Sequence, residues 1–180
     1  MLFFAKSLKA FSGFSTFNAK GETVAKMPTF REPFKKRRCI VPIDGFYEWK
    51  KLDDRTKPKK QPFVINLKAA KAMALAGLWD AWKDPVTDTW LQSFTIITTE
   101  ANETISAIHN RMPVILAERD WERWLTPDDT APTLDLIRPF DSAALRMGAC
   151  NPRVGNVRNN GPEMLVCPAS DAPLDQLNSK

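Results

Sequence analysis

The chain is poor in the residues that build covalent or metal frameworks. Of 180 residues, three are cysteine (Cys39, Cys150, Cys167), and no two stand in CxxC spacing. An odd count without paired spacing argues against a disulfide scaffold and for a reducing compartment. There is one histidine, His109. With no second histidine and no cysteine pair to join it, a metal site is not expected, and no motif calls for a cofactor. No apolar run approaches the roughly 18 residues of a membrane-spanning helix. The opening "MLFFAKSLKAFSGF" is interrupted by Lys6 and Lys9 and is followed by no small-residue cleavage site, so it does not read as a signal peptide. Internal repeats and low-complexity segments are also absent. Together these absences point to a cytoplasmic protein.

Charge and hydrophobicity are present in ordinary amounts but unevenly placed. Hydrophobic residues make up 43% and charged residues 26%, as in a globular domain with a real core. The net charge is +5. Residues 31–60 hold eleven basic side chains against five acids, Glu32, Asp44, Glu48, Asp53 and Asp54. Such a segment is either a solvated, solubilising loop or the footprint of a polyanionic partner.

Strand signals dominate the first two thirds. "RRCIVPIDGFYEWKK", "QPFVINL", "AMALAGLWDAWK" and "LQSFTIITTEA" are rich in β-branched and aromatic residues. The charged stretch "LDDRTKPKK" (52–60) and "KDPVTDT" (83–89) read as hairpin loops. Helix signals follow. Asn102 caps a short helix within 99–108. "RMPVILAERDWERWL" begins as a strand at Met112–Leu116. It turns into an amphipathic helix from about Ala117, with Trp121, Trp124 and Leu125 on one face, stopped by Pro127. "TLDLIRPF" predicts another short helix, and "LRMGAC" and "EMLVC" predict closing strands. The expected fold is α+β, a mostly antiparallel, barrel-like sheet with a few short helices. One domain is expected over 1–168, with a flexible tail over 169–180.

Three segments offer chemistry. In "GFYEW", Glu48 sits among Phe46, Tyr47 and Trp49. Strand alternation gives it a face shared with Phe46 and Lys50. It is either a surface charge paired with a nearby Lys or Arg, or a carboxylate in a water-poor pocket that delivers and removes protons. His109, in "AIHNRMPVIL", is either a packed histidine at a strand edge or an acid/base. Asn18, in "TFNAKGET", is either a turn residue or a substrate-orienting amide beside a cation, Lys20. Arg37, Arg38, Lys20, Arg111, Arg153 and Arg158, with exposed aromatics, would suit single-stranded nucleic acid.

Taken in order, "FNAKGETV", "RRCIVPIDGFYEWKK", "QPFVI", "AGLWDAW", "FTIITTEAN", "IHNRMPVIL" and "VGNVRNNG" resemble the SRAP (SOS response-associated peptidase) domain family across most of residues 1–168. The resemblance implies a compact α+β fold with a basic groove for single-stranded DNA carrying abasic sites, serving the DNA damage response. In that family an N-terminal cysteine, exposed on loss of the initiator methionine, forms a thiazolidine with the opened sugar and so a DNA–protein crosslink. The resemblance implies that Asn18 positions nucleophile and sugar. It implies that Glu48 transfers protons at the terminal amine and Schiff base, and that His109 is the acid/base for sugar-ring opening. Lys20, Thr98 and Arg111 would line the groove, joined by Arg37, Arg38, Arg158 and Phe4. When DNA-bound, the protein would be nucleoid-associated.

The departures from the family pattern are specific. The family begins Met-Cys-Gly-Arg; this sequence begins Met1-Leu2 and resembles an interior family segment from its first residues. The front of the family domain, with its nucleophile, is therefore expected to be missing, leaving apolar sheet surface open and favouring self-association. Phe4 stands where the family often has a base-stacking tryptophan. Lys20 replaces an arginine and so loses bidentate phosphate geometry. Cys39, expected in the core, Cys150 and Cys167 are internal, and a thiazolidine needs amine and thiol on one terminal residue. Three readings stay open: abasic-site crosslinking by the complete protein, non-covalent binding of single-stranded DNA, and a peptidase limited to self-processing. Whether the chain is an enzyme, by the family's peptidase, hydrolase or lyase-like chemistry, stays open with them.

Overall fold

The structure is a computed structural model and describes residues 16–53, 55–56, 58–69, 71–126 and 133–168. The chain divides into two compact units. The first comprises 1–43, 73–100 and 111–140, and the second the remainder.

The first unit is built on a five-stranded sheet. Its strands are β1 (Asn18–Lys20), β2 (Arg38–Ile43), β5 (Met73–Lys83), β6 (Trp90–Glu100) and β7 (Arg111–Pro113), in the order β1-β6-β5-β2 with β7 on β6. Only β1 runs parallel to its neighbour, pairing Asn18 with Ile96 and Lys20 with Thr98. The β5–β6 hairpin follows from two strand-forming apolar runs separated by a turn. In that turn the Asp84 carboxylate accepts from Val86 N, and Asp88 adopts a left-handed φ of 55°, which aspartate tolerates better than most residues. One sheet face is buried. Ala19, Ala76, Leu78 and Ile97 pack there with Phe34 from α1 (Arg31–Lys36) and Trp124 from α3 (Trp121–Leu125). Phe34 and Trp124 meet edge to face at 6.1 Å, and the Trp124 indole N–H donates to Cys39 O at 2.9 Å. On the other face Trp79 lies directly opposite Phe94, and the two rings are 38% and 59% exposed.

The second unit is a three-stranded antiparallel sheet, β3 (Phe46–Lys51), β4 (Lys60–Leu67) and β8 (Leu145–Ala149), with β4 in the middle. Cross-strand partners share a face, so Glu48 stands over Phe63, and the Phe46–Ile65 pair lies beside it. Ile65 is fully buried. A short helix, α2 (Glu103–Ser106), completes the unit, with the Asn102 side chain accepting from Ile105 N at 3.1 Å.

The α+β class and the mostly antiparallel pairing are as the sequence predicts. Among the described residues the sheets stay open, and no closed barrel forms. The predicted helix from Ala117 is a 3₁₀ turn, Glu118–Asp120, running into the short α3. Only Trp124 of its apolar set is buried, while Trp121 and Leu125 stay 37% and 47% exposed, because a five-residue helix has room for one inward position. Pro127 lies outside the described residues. "TLDLIRPF" forms a single 3₁₀ turn, Leu134–Leu136. "EMLVC" is no strand but part of a 3₁₀ turn, Pro162–Leu165. Pro162 lacks an N–H for a ladder, and Met164 N donates back to Gly161 O. Cys39 is half-buried at the sheet surface rather than in the core. No helix among the described residues is long and apolar enough to cross a membrane.

Candidate functional site

Glu48 projects from β3, with its side chain 24% exposed. Its Oε1 accepts from Trp49 N at 3.2 Å, which turns the carboxylate back along its own strand. Its Oε2 lies 3.8 Å from His109 Nδ1. This is longer than a hydrogen bond but within ion-pair range when the imidazole is protonated. Among the described residues no Lys or Arg pairs with Glu48, so the surface ion-pair reading finds no partner.

His109 owes its place to α2. The Asn102 cap fixes the helix start, Ile105 is fully buried beneath it, and His109 N donates to Ile105 O at 2.9 Å. Ala101 N closes the loop on Asn110 O at 3.1 Å. The imidazole, 42% exposed, thus stands on a short, tethered loop. Both groups border a cleft of about 610 Å³, lined by 48–51, Lys60 and 106–110. A carboxylate and an imidazole this close, open to a ligand and flanked by cations, form an acid/base pair suited to an anionic substrate. The three lysines of the wall, Lys50, Lys51 and Lys60, were not among the residues the sequence pattern singled out for binding. Their signal was the basic bias of residues 31–60 and the "KK" at each end of the 52–60 loop.

The first unit presents the other named residues. Asn18 and Lys20 flank the fully buried Ala19 on β1 and are exposed. Thr98 stands opposite Lys20, and its Oγ1 is 3.1 Å from Arg111 Nη2. Arg111 grips Glu22 through both guanidinium nitrogens and also donates to Thr98 O at 2.7 Å. The Arg111 hydrogen bond is the chief reason the Glu22 carboxyl titrates below its ordinary range. Arg37 pairs with the buried carboxylate of Asp80 at 3.2 Å. Arg38 donates to the carbonyls of Phe34, Trp124 and Thr126 and lies 5.7 Å from the Trp124 ring centroid. These two guanidinium groups are engaged inside the fold. Arg158 is exposed in the loop after the Pro152–Gly155 turn, and Phe4 lies outside the described residues. No group of three metal-ligating side chains occurs among the described residues.

An α+β chain with a carboxylate–imidazole pair in a lysine-walled cleft is the class these features define. Residues 2–157 match the family described as SOS response associated peptidase (SRAP), and the chain belongs to that family. It is 40% identical over 155 residues to the abasic site processing protein YoqW of Bacillus subtilis, covering 85% of this chain and 67% of that protein. It is 32% identical over 195 residues to the abasic site processing protein HMCES of Rattus norvegicus, covering 93% of this chain and 52% of the relative. The chain thus spans about two thirds of the bacterial relative and about half of the mammalian one. A crystal structure of a Bacteroides thetaiotaomicron protein superposes with a TM-score of 0.82 at 31% identity, over 92% of this chain and 72% of the other.

Proposed function

We propose that the chain binds single-stranded DNA at abasic sites and handles the sugar at the Glu48–His109 pair. The observation that carries this is the 3.8 Å approach of the two groups in a basic cleft, in a chain whose relatives are named abasic site processing proteins. The chemistry asks for such a pair. A closed abasic sugar is a hemiacetal. Opening it takes a proton from the C1′ hydroxyl, breaks the C1′–O4′ bond, returns a proton to O4′ and leaves an aldehyde. An imidazole can act in both protonation states near neutral pH. His109 is the acid/base for this step, and Glu48 holds the imidazole and relays protons at the aldehyde. On the first unit Asn18 is a substrate-orienting amide, and Lys20, Thr98 and Arg111 contact the DNA backbone, with Arg111 exchanging Glu22 for phosphate. The protein acts in the cytoplasm, on the nucleoid.

Covalent capture as a thiazolidine needs an α-amine and a thiol on one residue, which an internal cysteine cannot supply. Burial also raises the Cys39 thiol and pushes Cys150 up to about 11, so neither is a ready nucleophile. These two thiols favour non-covalent binding as the contribution of the residues described. The test compares a fluorescein-labelled single strand containing one aldehyde abasic site with the same strand carrying thymidine there. Tighter, salt-sensitive binding of the abasic strand is expected. Equal affinity for the two strands, or binding indifferent to salt, would overturn the reading.

A further inference from the structure

The cleft that holds Glu48 and His109 has a wall the acid/base chemistry does not explain. Lys50, Lys51 and Lys60 line it together. Lys51 and Lys60 are a directly opposed pair in the β3–β4 register. Like charges opposite one another on adjacent strands destabilise a sheet. Neither lysine has a carboxylate partner among the described residues. The hairpin does carry an acid, Asp53, but its carboxylate is engaged by Arg55 at 2.6 Å and by Lys59 N. Among the described residues the only acid lining the cleft is Glu48. Among the described residues β3 is also the edge of its sheet, so no other described strand of that sheet covers this wall.

We propose that Lys50, Lys51 and Lys60 seat the backbone phosphates of the DNA strand next to the abasic nucleotide, forming a track that leads to Glu48 and His109. From Glu48 to Lys51 is three residues of strand, about 10 Å, the span of roughly two or three nucleotides. The opposed Lys51–Lys60 pair makes a local positive field that a phosphodiester neutralises. Trp49, half-buried in the same wall, offers a ring face to a neighbouring base. The unfavourable pairing in the free protein is then a feature of the binding site rather than of the sheet.

This inference rests on the proposed DNA binding, and its test separates the two. The probe is a fluorescein-labelled single strand with one tetrahydrofuran abasic analogue, titrated by anisotropy with the full chain at several salt concentrations. Each of Lys51→Gln and Lys60→Gln is expected to make the slope of log affinity against log salt shallower by about 0.7. Each should weaken binding about eightfold at about 50 mM salt, with the difference vanishing as salt nears 1 M. Lys51→Arg should keep the wild-type slope. Lys26→Gln, an exposed lysine of the first unit, should change it less than either. Thermal melting reports folding independently: removing either lysine should leave the free protein as stable as before or more so. If the wild type binds with a salt-dependent slope that neither glutamine variant alters, the phosphate track is wrong and the DNA-binding reading survives. If the wild type itself shows no salt-dependent binding, the DNA-binding reading fails first.

Discussion

Replacing Arg38 by alanine separates a structural cation from a DNA-binding one. The guanidinium Nη1 donates to Phe34 O at 2.8 Å, and Nε donates to Trp124 O, both half-buried contacts. It also lies 6.0 Å and 5.7 Å from the ring centroids of Phe34 and Trp124. The two carbonyls sit at or near the C-terminal ends of α1 and α3, where helix acceptors lack internal partners. Each charge-assisted bond contributes about 1.5 kcal/mol, and the ring contacts add roughly 0.5 to 1 kcal/mol at this exposure. The third bond, to Thr126 O, is exposed and adds little. Arg38→Ala should therefore cost about 3 to 4 kcal/mol. With a slope near 2 kcal/mol per molar, that lowers the urea midpoint by roughly 1.5 to 2 M. Circular dichroism across a urea titration reads this directly. Arg38→Lys should recover part of the loss, since one ammonium can reach one carbonyl but not both. The salt slope of DNA binding, measured where the variant is folded, should not change. An unchanged urea midpoint together with a slope shallower by about 0.7 would refute the reasoning and return Arg38 to the DNA interface.

Two further outcomes follow from packing and burial. A Cβ on Gly45 would lie 2.7 Å from the backbone oxygen of Ile65, which β4 cannot withdraw cheaply, so Gly45→Ala should destabilise by about 1 to 3 kcal/mol, while Gly148→Ala, with nothing within 4 Å, should not, as urea unfolding of both will show. Burial, aided by Cys167, pushes the Cys150 thiol from 9.0 up to about 11, so the folded chain holds its proton where the unfolded chain loses it. Stability from this group is complete below pH 9 and is lost as pH rises through about 11, and Cys150→Ala should flatten that part of the melting-temperature profile against pH.

Much of the fold was legible because it is written in short-range pattern. β-branched and aromatic runs bounded by turn residues gave β4, β5 and β6, and the charged loop between "EWKK" and "KKQPF" gave the β3–β4 hairpin. Asn102 was readable as a cap because its side chain has one evident partner, an amide three residues on. What short-range pattern does not show depends on partners far away in sequence. The "EMLVC" segment has strand composition but no free ladder beside it, and Pro162 turns it. Arg37 and Arg38 look like any surface basic pair until Asp80 and the ends of two helices are placed against them.

Glu48 shows both sides of this boundary. Alternation alone put it on a face with Phe46, among side chains that exclude water. Register adds what alternation cannot, placing Phe63 and Ile65 on that face and, at the end of the hairpin, Lys51 across from Lys60. The helix cap at Asn102 then brings His109 to within 3.8 Å, through a loop whose anchor is Ile105 and not the histidine itself. The acid is thus held on an apolar floor, at the mouth of a basic cleft, beside a group that can exchange protons with it. A surface ion pair would need none of these three arrangements, and a carboxylate that works on an anionic strand needs all of them. In the proposed function the floor limits its water, the lysines offset its charge against phosphate, and the imidazole completes the proton path.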